Sequence, residues 1–265
     1  MSKESGKPRI VLILGSAPDV LRAREFPRGH FSSILAINNA WAVREDWDYF
    51  IHPDDFPADR RPPLRDPNRQ TIITSDNYVP VQNRFGGFVY AGGTMAFTAG
   101  YWALGELRPD ILAFLGCDMN YDARNGRTHF YGRGAADPLR ADISLQSLEA
   151  KSARLMLIAA LENCRCINLS AQKSSRLVFP RASLASLAAE DMRAHLAALQ
   201  AELGFYDFEA ISAARQRESD LGYAVPSGRY WEEQHRFDAA ALRDIDDMWL
   251  DAAGLGPPAK CTRWG

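Results

Sequence analysis

The stretch Thr128-His129-Phe130-Tyr131-Gly132 sets a histidine between Tyr121 and Tyr131, with Arg127 and Arg133 close by and Gly126, Gly132 and Gly134 around it. Histidine is the side chain whose charge changes near neutral pH, so His129 is a candidate general base. The two tyrosines can donate hydrogen bonds, and arginine pairs well with phosphate oxygens. Glycines would let such a loop order over a bound ligand. The plainer alternative is a loop histidine bonded to backbone or water.

Such residues need a frame, and the rest of the chain supplies one. The continuous apolar run Ile10–Leu14 breaks at Gly15 and enters a helix at Pro18, a favoured first helical residue. Further short apolar runs stand at 34–38, 48–52, 71–75, 110–116 and 165–170, with helical patterns between several of them. That alternation predicts an α/β fold, a Rossmann-like, mostly parallel sheet with helices on both faces. The segment 93–107 is small and apolar nearly all round, which predicts a buried helix. The segment 143–163 reads as an amphipathic helix with Leu148, Leu155 and Ile158 on one side.

Ligands of open parallel sheets bind at the carboxyl ends of the strands, so the residues there are candidates. The first strand ends in Gly15-Ser16-Ala17-Pro18, a tight turn whose N–H groups could hold a phosphate. The second ends in Asn38-Asn39 and the third in His52-Pro53-Asp54-Asp55. Gly92, Gly93 and Thr94 open the buried helix as a second candidate anion site, and the fifth strand runs into Cys117-Asp118. Asn38 could instead cap the next helix, and Asp118 could be a turn residue.

Composition narrows the partners. A 265-residue chain with 46% hydrophobic residues and a net charge of −2 has no basis for nucleic-acid or membrane-surface binding, so a small-molecule partner is expected. The N-terminal residues are polar and the first apolar run is too short to span a membrane, which together with four cysteines predicts a reduced, cytoplasmic protein without an integral membrane segment. Cys164 and Cys166 alternate as on one face of a strand, and no His/Cys pair sits near them at ligand spacing, so no metal is assigned. The proline- and arginine-rich segment 57–70 predicts an exposed loop. Residues 1–180 are expected to form the nucleotide-binding domain. Residues 181–265, alanine- and leucine-rich and then aromatic, are expected to form a helical extension serving as a lid or a homo-oligomer contact.

Taken in order, "VLILGSAPDVL", "INNAW", "YFIHPDDF", "GGTMAFTAGYWALGELRPDILAFLGCDMNYD" and "THFYG" resemble the successive motifs of the bacterial sialyltransferases of glycosyltransferase family 42 and of related pterin-diphosphokinase-like proteins. The resemblance covers roughly residues 9–180. It implies a metal-independent, inverting sugar transfer from a nucleotide-sugar co-substrate, CMP-linked in that family, to a glycan acceptor, with no cofactor. It places nucleotide binding on Gly15, Ser16, Pro18, Asn38, Gly92, Gly93, Thr94 and Asp118, and the general base on His129. Ser16 and Ala17 replace the family's asparagine and second glycine, and His52 stands where the family commonly has an asparagine that reads the donor. For such a transfer Tyr121 and Tyr131 would steady the departing phosphate, with Arg127 or Arg133 adding charge. Two other readings stay open. One is a Mg²⁺-dependent diphosphokinase-like phosphotransferase using Asp54, Asp55 and Asp118, and the other a nucleotide- or glycan-binding protein without catalysis.

Overall fold

The computed structural model describes residues 7–120, 127–132, 142–187 and 206–256. Its centre is one six-stranded sheet in the order β4-β3-β2-β1-β5-β6. The strands are β1 (Ile10–Leu14), β2 (Ser33–Ile37), β3 (Tyr49–Ile51), β4 (Thr71–Ile73), β5 (Ile111–Leu115) and β6 (Arg165–Asn168), and every pairing is parallel. Each lies within an apolar run expected to be a strand, except that β2 begins one residue earlier, at Ser33. Both faces are covered, which is why β1 and β5 are apolar and buried at every position. Successive side chains of a strand point to opposite faces. Val11, Ile13, Leu112 and Phe114 accordingly enter one core, and Ile10, Leu12, Leu14, Ile111, Ala113 and Leu115 the other.

The chain builds outward from β1 to β4, then returns to the far side of β1 with β5 and β6. Strand order therefore reverses between β1 and β5, the position where open sheets of this kind offer a crevice.

The first core lies under helices α1 (Ser75–Arg84), α2 (Phe88–Ala91), α3 (Met95–Trp102) and α4 (Leu148–Leu161). The α3 helix runs on through a wide π-type turn, Ala103–Leu107, and its buried residues lie all round it, as expected. The second core is closed by shorter pieces. The helix opened by Pro18 is a 3-10 helix, Pro18–Glu25, and another spans Asn38–Val43. The loop 57–70 is largely exposed, with only a single 3-10 turn, Ala58–Arg60. Cys117, Cys164 and Cys166 are buried free thiols, all three in the first core.

The amphipathic expectation for α4 is corrected. Lys151 and Arg154 are buried as deeply as its leucines, because two later helices, α6 (Phe208–Leu221) and α7 (Ala239–Ala252), cover its outer side. Each buried cation meets a carboxylate, as burial demands. Lys151 Nζ lies 2.7 Å from Asp246 Oδ1. Arg154 holds Glu218 through Nε at 2.7 Å and Nη2 at 2.8 Å. The Arg154 guanidinium also donates to the Tyr101 hydroxyl and the Phe85 carbonyl. Trp249 Nε1 donates to Glu218 at 2.8 Å. The helix expected over 182–203 lies outside the described residues apart from the turn α5 (Leu184–Leu187). No helix among the described residues is long and apolar enough to cross a membrane.

Candidate functional site

At the reversal point the loops after β1 and β5 are bonded to each other. Gly15 N donates to the Leu115 carbonyl and Ala17 N to the Gly116 carbonyl, each at 2.9 Å. A Cβ on Gly15 would stand 2.3 Å from the Gly116 oxygen, so glycine here permits loop-to-loop contact. These two N–H groups are thus engaged within the protein. Pro18 starts the 3-10 helix that lays Val20 against Gly116.

A small hairpin rests on this edge. His129 N donates to the Gly132 carbonyl at 3.0 Å and Gly132 N returns the bond at 3.1 Å, with Gly132 at φ 133°, a conformation suited to glycine. Phe130 N donates to the Ser16 carbonyl at 2.9 Å, which ties the hairpin to the end of β1, while the Phe130 ring packs on the second core. His129 is 4% exposed, its Nδ1 lies 2.8 Å from the Thr128 hydroxyl, and its ring centre is 5.0 Å from that of Tyr131. Burial holds its imidazole below the ordinary histidine value of 6.5. Tyr131 and Arg127 are exposed beside it. Tyr121 and Arg133 lie outside the described residues.

Three of the predicted residues share one property. Asn38 follows β2 with a positive φ of 50°, and its Oδ1 is buried without a hydrogen-bond partner among the described residues. His52 follows β3 between Phe50 and Phe56. Its Nδ1 lies 2.7 Å from the Pro53 carbonyl, so that nitrogen carries a proton. In the neutral ring Nε2 is then an acceptor, and it too is buried and has no partner among the described residues. Asp118, after β5, accepts from Ser170 Oγ at 2.7 Å through Oδ2, while Oδ1 is buried with no partner among the described residues. A buried polar atom left unpaired costs about 1–3 kcal/mol, and such atoms are rare in folded proteins. Three of the eight such atoms found among the described residues stand on strand ends of this sheet edge; the others are on Arg28, Gln82, Asn83 and Asp246.

The Gly92–Thr94 turn is occupied from within. Gly92 N donates to the Phe88 carbonyl, and Gly93 N to Ser144 Oγ at 3.0 Å. Thr94 caps α3 by accepting from Phe97 N. A Cβ on Gly93 would meet the Tyr230 hydroxyl at 2.1 Å, and that hydroxyl donates to Asp142 Oδ2 at 2.7 Å. Glycine is needed there so that the segment before α7 can close over the start of α3.

That segment forms one wall of a cleft of about 840 Å³, whose other side is the loop after β3 and the first turn of α1. Of the residues predicted for nucleotide binding Gly93 lines it, as do Asp54 and Asp55, which the phosphotransferase reading would use. Trp231, Tyr230, Asp76 and Asp142 were not singled out. The aromatic run Tyr230-Trp231 was the signal available, but the rings that continue it, Phe88 on α2 and Tyr78 on α1, are distant in sequence. Asp54 accepts from Ser75 Oγ at 2.6 Å in this cleft, whereas Asp118 is bonded to Ser170 beside β6. Among the described residues no group of three or more His, Cys, Asp or Glu is arranged to hold a metal ion, so the ligand set of the phosphotransferase reading is not brought together.

Comparison with known proteins brings no match: no family model, no curated protein and no solved structure is significantly similar to the chain.

Proposed function

We propose that the carboxyl edge of the sheet binds a nucleotide-linked sugar and that the protein transfers the sugar to a hydroxyl acceptor without a metal. The observation that carries this reading is that Asn38 Oδ1, His52 Nε2 and Asp118 Oδ1, at three strand ends, are buried with no partner among the described residues. As acceptors they call for a ligand rich in donors, which a nucleoside offers through its base amino group and ribose hydroxyls. In the transfer, the acceptor oxygen bonds to the anomeric carbon as the bond from that carbon to the phosphate oxygen breaks. The nucleotide leaves as an anion with the bonding pair, the acceptor proton passes to His129, and the anomeric configuration inverts. A partly desolvated imidazole suits the base, because burial keeps it neutral at physiological pH.

A thermal-shift screen with CMP, CDP, UDP, GDP and ATP, each with and without Mg²⁺, tests the proposal. A ligand that binds only the native state raises its melting temperature. A shift with a cytidine nucleotide that needs no Mg²⁺ is the expected result. Stabilisation by ATP alone, and only with Mg²⁺, would replace it with the phosphotransferase reading. No shift with any nucleotide would remove it.

A further inference from the structure

The cleft between α1 and the segment before α7 has a composition unlike that of a phosphate site. Among the described residues that line it are the carboxylates of Asp54, Asp55 and Asp76, that of Asp142, which accepts from Ser144 and Tyr230, and one guanidinium, Arg229, which itself lies 3.8 Å from Glu232. An aromatic ladder forms its wall. Tyr78 meets Phe88 edge-on with ring centres 6.2 Å apart, Phe88 stacks on Tyr230 at 6.2 Å, and Tyr230 meets Trp231 edge-on at 5.6 Å. The inner three rings are buried. Trp231 is 57% exposed at the mouth, where water covers an indole that a ligand could cover instead.

This wall is held in place. Asn83 Nδ2 donates to the Pro226 carbonyl at 2.8 Å, and Gly228, at φ 76°, fits closely against Val79 and Phe88. Burial first, and then the charges of Asp54 and Asp55, push the Tyr78 hydroxyl up to about 12. A volume near 840 Å³ is that of a site for a drug-sized organic molecule. Carboxylates opposite an aromatic face attract an organic cation, through charge and through the ring quadrupole, and repel an anion.

We infer that this cleft binds an organic cation, an ammonium or guanidinium group carried on a ring or apolar body, with Trp231 over the body and Asp54 and Asp55 beside the charge. The inference does not depend on the nucleotide reading, because it uses neither His129 nor the unpaired atoms at the strand ends.

Three compounds of one shape test it by isothermal titration on the full chain: tyramine, 4-ethylphenol and 4-hydroxyphenylacetate, bearing a positive, a neutral and a negative end. Tyramine should bind about tenfold or more tighter than the neutral compound, the anion should not bind, and raising the salt should weaken tyramine several-fold. Asp54→Asn with Asp55→Asn should remove the preference for the cation, and Trp231→Ala should weaken all binding. All three side chains are exposed, so circular dichroism should report an unchanged fold. Equal binding of the neutral compound or the anion, a preference that survives the double substitution in a folded protein, or no binding of any compound up to about 10 mM overturns the inference.

Discussion

Gly15 and Gly93 both stand where a methyl group would collide, but against different neighbours. At Gly15 the obstacle is the Gly116 carbonyl, a backbone atom beside the adjoining strand end. At Gly93 it is the hydroxyl end of Tyr230. Gly15→Ala should therefore destabilise the protein by about 1–3 kcal/mol or more, with nothing nearby able to yield. Gly93→Ala should cost a comparable amount, yet combined with Tyr230→Phe it should lose about 1 kcal/mol less than the sum of the single changes. Denaturant midpoints of the four proteins decide both points. For His129 the expectation concerns pH. A base must be neutral to act, and burial lowers this imidazole, so kcat/KM for transfer should rise through one ionisation below 6.5 and be level at neutrality. His129→Ala should keep nucleotide affinity and lose about 10²–10⁴ in rate. The same lowering means that the folded state binds fewer protons than the unfolded state below 6.5. Stability should fall as pH drops through that window, and the substitution should flatten the slope.

At the scale of elements, α4 is the clearest case of a helix whose character is set by its neighbours. Its Lys151 and Arg154 would face water on a surface helix, but α6 and α7 bring Asp246 and Glu218 to them. Leaving one partner of such a pair buried alone costs about 3–5 kcal/mol, while replacing both by apolar groups is often close to neutral. Glu218→Leu should thus be severely destabilising, since Arg154 and Trp249 both lose their acceptor. Lys151→Ala should be similar in direction because it strands Asp246. The pair Lys151→Met with Asp246→Leu should be more stable than either change alone in urea unfolding. Burial pushes the Asp246 carboxyl up while Lys151 draws it back.

For the whole molecule, the question is whether the sheet with its first helices could stand without the C-terminal ones. Ile211, Leu242, Ile245 and Trp249 belong to the same core as Val11, Phe114 and Leu155. Removing them exposes that apolar surface and leaves two buried cations without partners. A fragment ending at Leu187 should therefore show no cooperative thermal transition, whereas the full chain should melt cooperatively. Calorimetry on both makes the comparison. A fragment that melts cooperatively would show that residues 1–187 fold independently and that α6 and α7 are an addition to them.

The central strands β1 and β5 could be read from the sequence because a strand buried on both faces must be apolar at every position, a local property that needs no partner to be visible. The other four, though not apolar or buried throughout, keep enough apolar residues in a short run to be seen. The strand ends were legible for a related reason. The polar and small residues following each run, Asn38, His52 and Asp118 among them, mark where the chain leaves the sheet. What these residues meet was decided by the tertiary structure alone. The sequence does not say that the turn at Gly15 will bond the turn at Gly116, because strand order depends on connections that cross from one side of β1 to the other. Nor does it say that Lys151 and Arg154 are buried. Charge is the usual mark of a solvated face, and it is cancelled here only by carboxylates 95 and 64 residues away. The cleft is the extreme case: its aromatic wall joins Tyr78, Phe88 and Tyr230, residues that gain a common purpose only when α1 and the segment before α7 are packed together.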